Sequence, residues 1–197
     1  MYKRQFYDAL PKCESWRIYD EFRDNAVFLD IETTGLSPYY DRITIVGLFD
    51  GKEAKVFIAG KNMDSFMEEI RKYSVIITYN GSLFDLPFIK AHFPDFTFPA
   101  QIDLRFLLKR LGYSGGLKQI EGRFGIARDA GIKDIDGFEA VRLWNRYRRG
   151  DNEALRLLIE YNTADIVNLK ILMEKGYEMM RERLLCSNKP ASPSITA

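Results

Sequence analysis

Apolar positions along the chain fall into two regimes. Over the first half, short runs rich in β-branched and aromatic residues alternate with polar turns. AVFLDIE (26–32), ITIVGLF (43–49), KVFIA (55–59) and VIITY (75–79) read as buried strands, and QID (101–103) as the end of a fifth. Between them, Phe66, Met67 and Ile70 share one face of a short helix capped by Asn62 or Asp64. FDLPFIKAHF reads as a second helix with Pro87 in its first turn, and LRFLLKRLG as a third. Beyond residue 115 the apolar residues recur at i, i+3, i+4 throughout. GLKQIEGRFG, FEAVRLWNRYRRG and the long stretch from Asp151 to Leu185 are therefore helical. Trp16, Ile18, Tyr19 and Phe22, at helical spacing, make 1–24 a helical lead-in to a domain over 25–186, and the Pro/Ser-rich 187–197 is expected to be disordered. Early strands joined by tight turns, followed by helix–strand alternation, predict one α/β domain with a mixed sheet.

Composition narrows the class. A chain of 197 residues, 46% hydrophobic, buries enough surface to fold without disulfides or a structural metal. Its 29 Lys and Arg stand against 28 Asp and Glu, which excludes a strongly basic nucleic-acid coat or a polyanionic tail but not a local patch. Cys13 and Cys186, in no metal-ligand spacing, read as reduced thiols. The first residues, MYKRQFYDALPKCES, lack the apolar core of a signal peptide, and no run is long enough to span a membrane. A cytoplasmic protein with no membrane partner is the expectation.

Three acidic segments carry candidate chemistry. Asp30-Ile31-Glu32 ends a strand, and side-chain alternation points Asp30 and Glu32 the same way with Ile31 opposed. Tyr79-Asn80-Gly81-Ser82-Leu83-Phe84-Asp85 follows the fourth strand. Tyr161 and Asp165, at i and i+4, share one helix face. Singly these are a solvated strand end, an Asn-Gly turn with a helix-start charge, and helix surface. Together, four carboxylates fit a hard-cation site for Mg²⁺ with oxygen ligands. His92 is the only histidine, so a His-rich zinc centre is unavailable. No P-loop or GxGxxG occurs, and DIDG (134–137) falls short of an EF-hand loop.

DIETTGL (30–36), YNGSLFD (79–85) and YNTAD (161–165) resemble, in order, the three motifs of the DEDD (DnaQ-like) 3′→5′ exonucleases. The second resembles its form in B-family polymerase proofreading domains, and GLKQIE and AVRLWNRYRRGD resemble the stand-alone YprB-type proteins. The resemblance covers roughly residues 16–178 and implies a ribonuclease-H-like fold, with five to six strands in a mixed sheet flanked by helices. It implies that Asp30, Glu32, Asp85 and Asp165 bind metal and that Tyr161 places the chain in the tyrosine branch (DEDDy), position 160 being Glu160 where the histidine branch has His. Thr33 and Leu36 match positions facing the 3′-terminal nucleotide, and Asn80 a substrate contact. The implied reaction is two-metal phosphodiester hydrolysis with Mg²⁺ or Mn²⁺ at a free 3′ end of DNA or RNA. Asp30 would bridge both ions, Glu32 and Asp165 would complete the first, Asp85 would help hold the second, and Tyr161 would orient the water. A binding module with negligible turnover and an RNase-H-like endonuclease are the competing classes.

Further segments have two readings. Arg142, Arg146, Arg148 and Arg149 interleave with Trp144 and Tyr147, either to track a strand by phosphate contacts and stacking or as a solvated face behind a core stripe. Lys109, Arg110, Lys118 and Arg123 flank GYSGG, where a helix start at Gly116 is either a phosphate site or an ordinary turn. His92 reads as a helix-end residue, and Met173, Met179 and Met180 as helix packing.

Overall fold

The computed structural model describes residues 10–187; residues 1–9 of the expected lead-in and 188–197 of the expected tail lie outside the described residues. Five strands form one sheet: β1 (Ala26–Thr33), β2 (Ile43–Phe49), β3 (Ala54–Ile58), β4 (Val75–Thr78) and β5 (Ala100–Asp103). Their order is β3-β2-β1-β4-β5. β1 to β3 form an antiparallel meander, while β4 and β5 continue from β1 in parallel. The sheet is thus mixed, as the turn and crossover pattern requires. Helices α1 (Tyr19–Phe22), α2 (Phe66–Ile70), α3 (Asp85–His92), α4 (Leu104–Arg110), α5 (Leu117–Arg123), α6 (Gly137–Tyr147) and α7 (Asn152–Ser187) flank it.

Strand alternation divides the core. Val27, Leu29 and Ile31 of β1 pack with Phe66, Ile70, Phe88 and Ile89 on the α2–α3 side. Phe28 faces the other way, where Ile77 and Ile102 join Leu104, Leu108, Leu172 and Met173 of α4 and α7. Asp30 and Glu32 follow Phe28 on that second face, towards α7. The three parallel strands end at one edge, where residues 30–33, 78–85 and 103–105 converge. Crevices outside the carboxyl ends of parallel strands are the usual ligand sites of open α/β sheets.

Several expectations change in detail. The lead-in is broken into short turns, 3₁₀ at Ser15–Ile18 and Arg23–Asn25 around α1, because Trp16 and Tyr19 both fold onto Tyr177 of α7, at ring separations of 5.7 and 5.6 Å. Neither Asn62 nor Asp64 caps α2. Asn62 Oδ1 accepts the Ile58 N–H at 2.7 Å and its amide donates to Val56 O at 3.0 Å, closing the turn after β3, and a 3₁₀ turn leads into the helix. α7 runs through Ser187, the first residue of the expected tail. His92 does end α3: Nε2 accepts the Ile43 N–H at 3.3 Å and Nδ1 faces Phe88 O. Met173 and Met180 are buried core. Cys13 and Cys186 are free thiols, and among the described residues no helix is long and apolar enough to cross a membrane.

One glycine sets how closely α7 approaches the sheet. Gly47 pairs with Asp30 across β1–β2, and a Cβ there would stand 2.1 Å from Asn162 Oδ1. A strand glycine at a close approach is the one sequence sign of this contact. Gly47→Ala is expected to lower stability by about 1–3 kcal/mol, the cost of overpacking, read from urea unfolding. Gly122→Ala, where an added Cβ meets nothing within 4 Å, is the control and should be neutral or stabilising.

Candidate metal centre and substrate cleft

Each acidic side chain reaches the sheet edge for a local reason. Asp30 and Glu32 alternate off β1 onto the α7 face. Asp165 lies one turn beyond Tyr161 on α7, and both line the same cleft. Asp30, Glu32 and Asp165 each offer an oxygen such that all three lie within 4.8 Å of one another. Asp85 begins α3 and is buried at 3% exposure. Along β1, β4 pairs with Ala26–Phe28 alone, so the edge of β1 beyond Phe28 has no strand neighbour there, and the Ile31 N–H donates to Asp85 Oδ1 at 3.2 Å. Asp85 is thus tied to the strand that carries Asp30 and Glu32 but lies outside the three-residue cluster and is not among the residues lining the cleft.

Packing carboxylates this closely has a clear electrostatic signature. Burial, then Asp165, Asp85 and Glu32, push the Asp30 carboxyl well above its ordinary range. Burial, Asp165 and Asp85 do the same to Glu32. Asp85 and Asp165 are also raised, chiefly by burial, although Arg128 pulls Asp165 partly back. Burial and the charges of Asp165, Glu32 and Asp30 raise the Tyr161 phenol, so it keeps its proton at neutral pH. An all-oxygen donor set of mutually repelling carboxylates fits a hard divalent cation, which relieves the repulsion and accepts that geometry.

Four neighbours that the sequence reading did not single out hold this arrangement. Asn162 donates from Nδ2 to Asp30 Oδ2 at 2.9 Å. Arg128 donates from Nη2 to Asp165 Oδ1 and forms a two-pronged pair with Glu121 at 2.7 and 2.6 Å. Asn168, one turn after Asp165, donates to the same Glu121 at 3.0 Å. Both side chains of the Arg128–Glu121 pair are 5% exposed or less, and the guanidinium lies 5.4 Å from the Tyr161 ring. The loop GIARDAG gives no periodic signal that its arginine turns inward. Asn162 is visible only as the residue after Tyr161.

The cleft has a volume of about 440 Å³. Thr33, Leu36 and Tyr161 line it together with Phe84, Phe138 and Val141. Leu36 and Phe138 are 81% and 78% exposed, large apolar side chains standing free at the cleft. The Leu36 loop is rigidly built: Thr33 Oγ1 donates to Gly35 O at 2.5 Å, and the Asp41 carboxylate accepts from Thr34 Oγ1 and Ser37 N. A Cβ on Gly35 would meet that carboxylate at 2.5 Å, so the turn requires glycine.

Asn80 is placed differently. It adopts φ 64° in the turn after β4 and does not line the cleft. Its N–H donates to Asp103 Oδ1 at 2.8 Å, and its side-chain carbonyl accepts from Arg105. Asp103, at the end of β5, also accepts from Ser82 and caps α4 through the Arg105 N–H. Asp103 therefore ties the turn of the second motif to the end of β5. At the GYSGG segment, Lys118 donates to the carbonyls of Lys133 and Ile135, an internal role, and lies 5.2 Å from the Tyr161 ring.

Known proteins share this framework. A family model described as RNase H superfamily matches residues 27–177. An uncharacterized protein of Methanocaldococcus jannaschii, MJ0365, is 28% identical over 170 residues, covering 75% of this chain and 95% of that one. Among solved structures, the family B DNA polymerase of Pyrobaculum calidifontis superposes with a TM-score of 0.59 at 18% identity, over 81% of this chain. This chain spans only 24% of that polymerase. Brucella melitensis NrnC bound to pGG gives 0.55 at 21% identity, covering 90% of this chain and 93% of that one, and NrnC is also known with bound Mg²⁺. Escherichia coli RNase D, described as an exoribonuclease involved in structured RNA processing, gives 0.50 at 17% identity over 92% of this chain and 49% of that one. At these identities the likeness is one of fold.

The raised carboxyls fix a sign for the pH dependence. Their folded pKa values lie above the unfolded values near 4, so in that window the folded state binds more protons. Metal-free stability is therefore greatest below the unfolded pKa and falls as pH rises through the raised values. Thermal melts in EDTA should show Tm decreasing from about pH 5 to pH 8, and the rise in Tm caused by Mn²⁺ should grow over the same range. A flat profile indifferent to Mn²⁺ would contradict this electrostatic picture.

Proposed function

The chain belongs to the RNase H superfamily, and on that premise we propose that it is a DEDDy-type 3′→5′ exonuclease, hydrolysing phosphodiester bonds at a free 3′ end of DNA or RNA with Mg²⁺ or Mn²⁺. The observation that carries the reading is the convergence of Asp30, Glu32 and Asp165 oxygens within 4.8 Å in a cleft whose wall also presents Leu36, Phe138 and Tyr161. The three sequence motifs support the exonuclease class, and the NrnC and RNase D likenesses agree with it.

Asp30, Glu32 and Asp165, together with Asp85, would hold the divalent ions, two by resemblance to the family. When bound, such ions supply positive charge against the charge that builds on the attacked and departing oxygens. The remaining roles belong to the chain. Leu36 and Phe138 offer apolar surface to the terminal base, and an end that frays fits between them more readily than the middle of a duplex. Tyr161 lines the cleft one turn before Asp165, where its Oη is the group assigned to orienting the attacking water. Arg128 and Asn162 fix the rotamers of Asp165 and Asp30, as outer-shell partners of metal ligands commonly do.

The test is a digestion panel of 5′-labelled linear and circular single strands of DNA and RNA, with Mg²⁺, Mn²⁺ or EDTA. Linear substrates should shorten stepwise from the 3′ end only with a divalent ion, and circles should stay intact. Asp30→Asn and Asp165→Asn should each lower the rate by about a hundred- to a thousandfold or more, the scale of removing a preorganised electrostatic group. Cut circles would indicate an endonuclease. Binding without cleavage in either metal would indicate a binding module.

A further inference from the structure

The basic–aromatic end of α6 borders a second groove, of about 570 Å³, that the cleft does not include. Thr34, Arg42, Thr44, Gly60, Tyr147 and Arg148 are among its lining residues. Thr34 also lines the metal-centre cleft, so the two depressions meet there. The short ladder between Thr34 and Arg42 forms the junction: Thr34 N–H donates to Arg42 O at 2.9 Å and Arg42 N–H to Thr34 Oγ1 at 3.0 Å.

The charges in this region are sorted. Arg142 pairs with Glu139, and Arg146 with Asp151, so half of the basic stretch is neutralised on its own surface. Arg42 and Arg148 are exposed, and neither has a carboxylate partner among the described residues. Lys61 adds a third cation, 5.1 Å over the Tyr147 ring, again without a carboxylate partner among the described residues. Asn152, at the positive end of the 36-residue α7, opens onto the same groove. The lining is about equally polar and apolar, with Ile43, Ala59 and Trp144 beside the polar residues. β1–β2 register shifts at Glu32/Thr33, which leaves Thr44 as the extra residue of a bulge, and its buried hydroxyl has no hydrogen-bond partner.

We propose that this groove is the binding site for the phosphates of the strand upstream of the terminal nucleotide, with Arg42 and Arg148 as the principal contacts and Tyr147 as an aromatic surface beside them. Unpaired cations next to an aromatic ring are what a single strand of either sugar type recognises without reading sequence. The path is continuous: the last nucleotide in the cleft, the chain over Thr34, the preceding phosphates in the groove. Along α6, Arg148 lies about 10 Å beyond Val141 of the cleft wall, at roughly 1.5 Å per residue. A dinucleotide would therefore fill the cleft alone, and only longer strands would use the groove. This inference rests on the nuclease reading for what occupies the cleft but locates a separate surface.

The experiment compares the full chain with Arg42→Gln/Arg148→Gln, and with Arg142→Gln/Arg146→Gln as a control whose arginines are already paired. Binding of labelled two- and eight-residue oligonucleotides is measured by anisotropy in EDTA over a range of salt, and release of nucleotides from both is measured in Mn²⁺. Loss of two phosphate contacts at about 0.7 counterions each should flatten the salt slope for the octamer by roughly 1.4 and weaken its binding about 25-fold at about 0.1 M salt. Dinucleotide cleavage should stay within twofold, and the control pair should change neither quantity appreciably. An unchanged octamer slope, equal losses on both lengths, or no octamer binding by the unaltered protein would overturn the groove. Octamer binding that loses its slope in the variant, with no cleavage of either length by the unaltered protein, would keep the groove and remove the nuclease reading.

Discussion

Mutual repulsion among buried carboxylates is the constraint on which the rest of this structure turns. Two like charges about 4 Å apart at an effective dielectric of 20 repel by about 4 kcal/mol, and here Asp30, Glu32 and Asp165 meet with Asp85 nearby. A fold tolerates that only if something offsets it. Part of the offset is internal: Arg128 reaches Asp165 and is itself anchored by Glu121. One guanidinium shared between two carboxylates leaves the other acids without a counter-charge. The raised carboxyl pKa values reflect burial first and that imbalance second, and a divalent cation is the simplest species that removes the imbalance. The near-neutral overall charge of the chain is then a poor guide to its chemistry, because it sums an acidic centre with basic surroundings.

The fold exists around this point in a specific way. β1 is the central strand, antiparallel to β2 and parallel to β4, and its free edge beyond Phe28 is what lets Asp85 dock on the Ile31 N–H. α7 must lie close enough for Asn162 and Asp165 to reach β1, which Gly47 permits by having no side chain. A separate organiser, Asp103, gathers the second motif and the start of α4. The centre is thus assembled from a strand, a helix start and a long helix, each fixed by a contact distant in sequence.

Much of this was legible from residue order. β2 coincides with the run 43–49, and the other strands fall within a residue or so of their apolar runs, because burial on both faces between two helical layers leaves continuous apolar stretches. Asp30 and Glu32 on one face, with Ile31 opposed, followed from alternation alone. The convergence of the three acidic segments was suggested by motif order and spacing rather than by periodicity. What stayed hidden depends on contacts between segments far apart. Arg128 lies 37 positions from Asp165 in a loop with no pattern. The partners of Asn80, Asp103 and Arg105, are brought to it only by β4–β5 pairing. Phe138 sat in a stretch that read as ordinary amphipathic helix, and its exposure in the cleft is a property of where α6 begins. Asn62 was a reasonable cap, but the turn after β3 claims it first.

The central claim is that the Asp30–Glu32–Asp165 cluster is a divalent-cation site and not merely an acidic surface. The most direct measurement is anomalous X-ray diffraction at the manganese edge from crystals of the unaltered protein grown with Mn²⁺. The account predicts an anomalous peak within coordinating distance of oxygens from all three side chains, lost in crystals of Asp165→Asn. No peak at the cluster under saturating Mn²⁺, with Arg128 still joined to Asp165, would contradict it.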